Sequence, residues 1–203
     1  MITIIDYDMG NLGSIRNMLK KLGFESEITA DPARIRSASK LILPGVGAFD
    51  AGMEGLERSG LITVLNERAV GGSVPILGIC LGMHLMTRRS QEGQRPGLDW
   101  VDAEAVRFEC SSAIQRIPHM GWNSTKTTRP DPLTDNLPPD ARYYFVHSYF
   151  VRCHDINDVL LTTTYGSEFH SGFHSMNLWG VQFHPEKSHR FGMALLRNFA
   201  ERC

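Results

Sequence analysis

The stretch Val74-Pro75-Ile76-Leu77-Gly78-Ile79-Cys80-Leu81-Gly82 decides the reading of this chain. An apolar run ends in a cysteine set between two glycines, and a helical pattern starts at Leu81. This is the layout of a nucleophile elbow with sulfur in place of oxygen. A sharp strand-to-helix turn crowds the backbone and needs small neighbours. It exposes the nucleophile at the carboxyl end of a sheet. It also sets backbone N–H groups and a helix N-terminus beside the sulfur, which favours thiolate. A free cysteine is commonly core filling; the glycine flanks and the strand before it give Cys80 its second reading.

Two further segments complete the chemistry. In His184-Pro185-Glu186 the base and the acid are two residues apart, so in an extended segment both side chains fall on one face. That spacing suits a base and the group that orients it, and Cys80, His184 and Glu186 form a candidate catalytic triad. Pro44-Gly45-Val46-Gly47 follows an apolar strand expected beside the elbow. It reads as a tight turn or as an oxyanion strand, whose glycines let a peptide N–H turn toward a developing negative oxygen. The backbone N–H groups of Leu81 and of Val46 or Gly47 are the candidate donors.

Working outward, residues 2–7, 25–28, 40–43 and 74–79 read as strands. Helical patterns lie between them: 14–22, a turn after Asp31, 50–58 and 61–69. Ile15, Met18, Leu19 and Leu22 keep helical spacing, and Gly23 is a plausible stop. This alternation predicts an α/β fold with an open, mostly parallel central sheet and helices on both faces. The second half adds a smaller antiparallel β portion, with strand candidates at 143–150, 159–164, 173–176 and 178–183 and a final helix at 191–199. Pro130, Pro132, Pro138 and Pro139 mark 129–140 as a surface connection. No composition break appears, so residues 1–203 read as one domain.

A net charge of −1, from 21 basic and 22 acidic residues, argues against a general nucleic-acid or anionic-membrane binder. No apolar run approaches a bilayer span, and Met1-Ile2-Thr3-Ile4-Ile5-Asp6 lacks the basic start of a signal peptide, so a cytoplasmic protein is expected. Cys80, Cys110, Cys153 and Cys203 show no CxxC spacing and read as free thiols. His170 and His174 are four apart, but their surroundings read as strand or loop, so no metal site is expected. No cofactor is expected either.

Beyond these readings the chain carries a resemblance. Asp6-Tyr7 with Met9-Gly10-Asn11-Leu12, Leu43 to Gly47, Gly78 to Met83, Pro118-His119-Met120-Gly121-Trp122-Asn123, Tyr144 to Tyr149 and Gln182 to Ser188 resemble the class I (triad-type) glutamine amidotransferases. More narrowly they resemble the glutaminase subunit of imidazole glycerol phosphate synthase. The resemblance implies that Cys80 attacks the side-chain amide of glutamine, that His184 moves the protons and that Glu186 holds the imidazole. It implies that Gly47, Ser148 and Tyr149 hold the substrate. It also implies a synthase partner of (β/α)8-barrel type, docked through Asn11, Trp122 and Lys187, that receives the ammonia.

The family usually has glutamine where this chain has His84. Histidine offers a different donor and acceptor pattern and titrates near neutrality, so His84 is expected to bind substrate less well or in a pH-dependent way, or simply to pack on the elbow helix. The stretch Thr87 to Gln91 lacks the acidic run common in the family, and Asp8 and Gly13 also depart from it. These departures allow a paralogue that feeds a sugar-amidating partner in surface-polysaccharide synthesis. Two readings of other kinds are an interaction subunit without turnover and a stand-alone cysteine hydrolase.

Overall fold

Apolar residues on both faces of the early strands require cover on both sides. The computed structural model describes residues 1–72, 74–109 and 116–203; Cys110 lies outside the described residues. The first half runs β1 (Ile2–Ile5), α1 (Leu12–Lys21), β2 (Ser26–Thr29), α2 (Pro32–Ser37), β3 (Lys40–Gly45), α3 (Phe49–Arg58), α4 (Ile62–Val70), β4 (Ile76–Cys80) and α5 (Leu81–Leu85). The second half runs β5 (Arg89–Ser90), β6 (Ala103–Arg107), β7 (His119–Ser124), β8 (Lys126–Thr127), β9 (Arg142–His147), β10 (Tyr149–Cys153), β11 (Val159–Tyr165), β12 (Ser167–Ser175), β13 (Leu178–Val181) and α6 (His189–Arg202).

The central sheet has the order β2-β1-β3-β4-β13-β12-β11-β8. Its first five strands are mutually parallel and its last three pair antiparallel. The period of two along each strand divides the core. Ile5, Leu41, Leu43 and Ile76 pack with α2, α3, α4 and α5 on one face. Ile4, Ile42, Leu77 and Ile79 pack with α1 and α6 on the other. The expected mostly parallel sheet with two helical layers and a smaller antiparallel portion is the observed architecture.

Local chemistry sets the boundaries. Asp31 accepts from the Ala33 N–H at 2.8 Å and Pro32 opens α2, which explains the turn after Asp31. Gly23 takes φ +88° after α1, as a helix stop requires.

Three expectations need correction. The strand expected at 143–150 breaks at Ser148 into β9 and β10, which enter different sheets. Ser148 turns its carbonyl to the Phe108 N–H, and the His147 ring bonds the Tyr149 carbonyl, so the ladder cannot continue through it. The segment 173–176 is the end of a nine-residue strand, β12, whose polar start hid it. The proline-rich connection also reaches inward: Leu133 is buried, and the Asp131 carboxylate is fully enclosed by the Leu133 N–H, Trp179 and His174.

Candidate active site

Three adjacent parallel strands bring the site together. β4 lies between β3 and β13, with Gly45 opposite Cys80 and Val181 opposite Ile79. The chain leaving β3 (Val46, Gly47), the end of β4 (Cys80) and the chain leaving β13 (Gln182 to Glu186) therefore meet at one edge. Sheet pairing closes the long sequence gap between Cys80 and His184.

Cys80 has φ +53° and ψ −110°, a strained conformation for a residue with a side chain. The turn is held by close backbone approach. A methyl group on Gly82 would stand 1.8 Å from the Leu43 carbonyl oxygen, and one on Gly45 would stand 2.7 Å from Leu81 Cβ. Below the glycine turn that follows β3, the buried Tyr7 hydroxyl donates to the Pro44 carbonyl at 2.5 Å. Burial and then the Cys80 sulfur push its phenol far up, so it remains a donor. The role of Tyr7 was not legible in sequence.

His184 is extended, but the next residues do not continue a strand. Pro185–Lys187 form a single 3-10 turn. The turn still delivers the pair: His184 Nδ1–H donates to Glu186 Oε1 at 2.8 Å, with both side chains almost fully buried. The segment is pinned to β9, because the His184 N–H donates to the Tyr144 carbonyl at 2.9 Å and Ser188 Oγ links His184 and Tyr144. Among the described residues, His184 Nε2 and Glu186 Oε2 are buried without a hydrogen-bond partner. Burial opposes a charge on the imidazole, but the Cys80 sulfur and the Glu186 carboxylate outweigh it and raise His184 to about 10.

A cavity of about 250 Å³ opens over Cys80. Val46, Gly47, Leu81, His84, Ser148 and Tyr149 line it together with Cys80 and His184, while Glu186 stands behind the imidazole. The size suits a single amino acid rather than a larger ligand. Two wider depressions, of about 620 and 630 Å³, lie along Pro130 to Asn136 and beside Met1 and Arg16, and neither holds a nucleophile with a base. Gly47 has φ +120°, a conformation open to glycine that governs where its N–H points.

His84 is buried, and Nε2 lies 2.8 Å from Gln182 Oε1. Burial lowers its pKa to about 4, against the smaller opposing effect of Gln182. The ring is thus neutral near pH 7, and the expected titration near neutrality does not occur. Four cavity-lining residues were not assigned to the site by the sequence reading: Glu92, Pro118, Val146 and His147. Glu92 accepts from the Phe49 N–H at 2.9 Å, and burial raises its carboxyl despite that bond. It is the only acidic side chain among the described lining residues.

His147 belongs to a chain of hydrogen bonds. Its Nδ1–H donates to the Tyr149 carbonyl at 2.7 Å, leaving Nε2 to accept from His119 Nδ1 at 3.0 Å. His119 Nε2 in turn faces Asn123 Nδ2 at 3.3 Å. The wall that carries Ser148 and Tyr149 is thereby tied to β7, whose Met120 and Trp122 are exposed.

Asn11, Trp122 and Lys187 stand outside the cavity. Trp122 lies opposite Tyr144 across the β7–β9 pair, and Lys187 Nζ lies 5.9 Å from the Tyr144 ring centre. Asn11 precedes α1, which packs against the Pro185–Lys187 turn. His170 and His174 serve structural hydrogen bonds, to the Cys153 N–H and to Asp131.

Residues 3–203 match the family described as Glutamine amidotransferase class-I. The chain belongs to the class I glutamine amidotransferases. This amidotransferase is 54% identical over 203 residues to imidazole glycerol phosphate synthase subunit HisH 2 of Methanococcus maripaludis, with 100% of each chain covered. It is 46% identical over 201 residues to the HisH 2 subunit of Pseudomonas aeruginosa, covering 99% of each. It is 41% identical over 202 residues to the HisH subunit of Leptospira interrogans, covering 98% of this chain and 99% of that one. A crystal structure of a glutamine amidotransferase superposes with a TM-score of 0.77 at 19% identity, covering 99% of this chain and 98% of that one. Another, from Thermotoga maritima, gives 0.71 at 16% identity, covering 99% and 96%. These two likenesses concern the fold.

Proposed function

We propose that this chain is the glutaminase subunit of an imidazole glycerol phosphate synthase, acting as a single domain over residues 1–203 in the cytoplasm. One observation carries the chemistry: a cysteine on a strained elbow shares a cavity with a buried imidazole whose other nitrogen is held by a carboxylate. Full-length identity to HisH subunits supports the pathway. No helix among the described residues is long and apolar enough to cross a membrane.

In this reading the Cys80 sulfur attacks the side-chain carbonyl carbon of glutamine. The tetrahedral oxyanion takes hydrogen bonds from the N–H of Leu81 and of Val46 or Gly47. His184 passes its proton to the departing nitrogen, ammonia leaves and a glutamyl thioester remains. His184 then takes a proton from water, hydroxide attacks the thioester, and glutamate departs from a restored Cys80. Glu186 fixes the imidazole tautomer and offsets its charge. Glu92 lines the cavity as a counter-charge for the substrate ammonium, together with Ser148 and Tyr149.

Ammonia released to water would be protonated and lose its nucleophilicity. A docked acceptor subunit of (β/α)8-barrel type, seated on Asn11, Trp122 and Lys187, keeps it unprotonated and makes imidazole glycerol phosphate and AICAR. The test is glutamine hydrolysis by the chain alone and with its copurified partner. Strong stimulation by a barrel cyclase, with imidazole glycerol phosphate as product, supports the proposal. Recovery of a sugar-amidating enzyme as the acceptor reassigns the pathway, and no hydrolysis in either state refutes the enzymatic reading.

A further inference from the structure

Gln182 is fully buried one step beyond β13, and its amide stands between the elbow helix and the nucleophile. Its Oε1 lies 2.8 Å from His84 Nε2, and its Nε2 lies 3.9 Å from Cys80 Sγ, within reach of a sulfur acceptor. We propose that Gln182 is a further catalytic residue, donating an N–H to the Cys80 thiolate, and that His84 is the positioning residue that turns its amide that way.

The polarity follows from the donor inventory. An amide oxygen only accepts, so His84 must present an N–H to it, and a neutral imidazole has one to give. Burial keeps the ring neutral, which places that proton on Nε2. With Oε1 so engaged, the amide NH₂ points at the sulfur. The opposite rotamer, paired with the other imidazole tautomer, would set a carbonyl oxygen against a thiolate. A donor aimed at an anion in an enclosed site stabilises the charged form. His84 is therefore committed to Gln182 rather than to the amino-acid end of the substrate, and its departure from the usual glutamine is read as a change of orienting group. Gln182 and His84 reach each other only because β13 pairs with β4 and α5 rises from β4.

The inference rests on the glutaminase reading for its consequence in turnover, yet its first measurement needs no glutamine. The rate of iodoacetamide alkylation of Cys80, read by peptide mass spectrometry across pH on the full chain, reports the thiolate. Gln182→Met keeps length and removes the donor. The expected result is a rise of about one pH unit in the alkylation midpoint, a roughly tenfold loss of thiolate below it, with Tm near that of the wild type. His84→Phe produces a smaller rise in the same direction, and His84→Gln, which restores a side-chain N–H at that place, recovers the wild-type midpoint. In turnover with the partner, Gln182→Met lowers kcat about tenfold and leaves the KM for glutamine in place. A folded Gln182→Met chain with the wild-type alkylation profile overturns the proposal. Should that variant fail to fold, equal midpoints for His84→Phe and His84→Gln overturn it, as does a change confined to KM in either His84 variant. Loss of hydrolysis in the wild type with a perturbed Cys80 profile would instead refute the glutaminase reading and leave the thiolate donor standing.

Discussion

His184 and the group His84, His119 and His147 are all enclosed, exposed by 1%, 5%, 3% and 7%, yet they hold opposite charge states. Burial disfavours the charged ring in every case. Around His184 a sulfur and a carboxylate reverse the outcome and lift it to about 10. Around the other three, the hydrogen-bond partners are amides, a carbonyl and one another, and each is pushed below its ordinary value, His84 and His119 to about 4. Enclosure alone does not make a catalytic histidine. The neighbouring sulfur and carboxylate set His184 apart, and the neutral rings are hydrogen-bonded parts of the surrounding structure.

Removing the anion should break this contrast most severely. Glu186→Gln leaves the shape intact but takes away the countercharge and replaces an acceptor-only group by an amide that no longer fixes the imidazole tautomer, and kcat with the partner should fall by about 10³- to 10⁴-fold. A fall of less than tenfold would mean that the carboxylate does not set the state of His184. On the neutral side, His147→Phe cuts the path from β7 to the Tyr149 carbonyl. The loss of about one hydrogen bond's net worth, ~1 kcal/mol, should raise the KM for glutamine roughly fivefold, with a smaller change in kcat. An unchanged KM would show that the wall keeps its shape without the relay.

The two groups also oppose each other in stability. The folded pKa of His184 is raised, so its contribution is fully present below about pH 6.5 and is lost as pH rises through about 10. The folded pKa values of His84 and His119 are depressed, so their contribution is present above about pH 6.5 and is lost as pH falls through about 4. The Tm gap between wild type and Glu186→Gln should therefore narrow from pH 6 to pH 10. The wild type should lose Tm relative to His84→Gln between pH 6.5 and pH 4. Gaps that stay constant with pH would remove the charge-state contrast. The smallest expected effect is a null one: between pH 6 and pH 8 the KM for glutamine should show no inflection that His84→Gln abolishes.

The same division governs what the sequence revealed. The elbow, the glycine turn after β3 and the order of the early elements could be read because backbone requirements leave local marks: glycines at 45, 47, 78 and 82, and apolar runs of strand length. The partnership of His184 with Glu186 was legible as a spacing, although a 3-10 turn rather than a strand delivers it. Tyr7, Glu92, His147 and Gln182 were not legible as site residues. Each has a partner far along the chain, Tyr7 the Pro44 carbonyl, Glu92 the Phe49 N–H, His147 the His119 ring and Gln182 the His84 ring, and nothing adjacent in the chain marks such a contact. His84 lies buried on the elbow helix, the second of the two readings open for it. Its partner amide lies 98 residues away, so that contact left no mark in the local sequence.

The most direct test of the whole account is covalent. Acid quenching during turnover of glutamine with the partner, followed by peptide mapping, should find a glutamyl thioester on the Cys80 peptide, and Cys80→Ala should show neither the adduct nor ammonia release. Ammonia released from glutamine at the wild-type rate by a folded Cys80→Ala chain would contradict it.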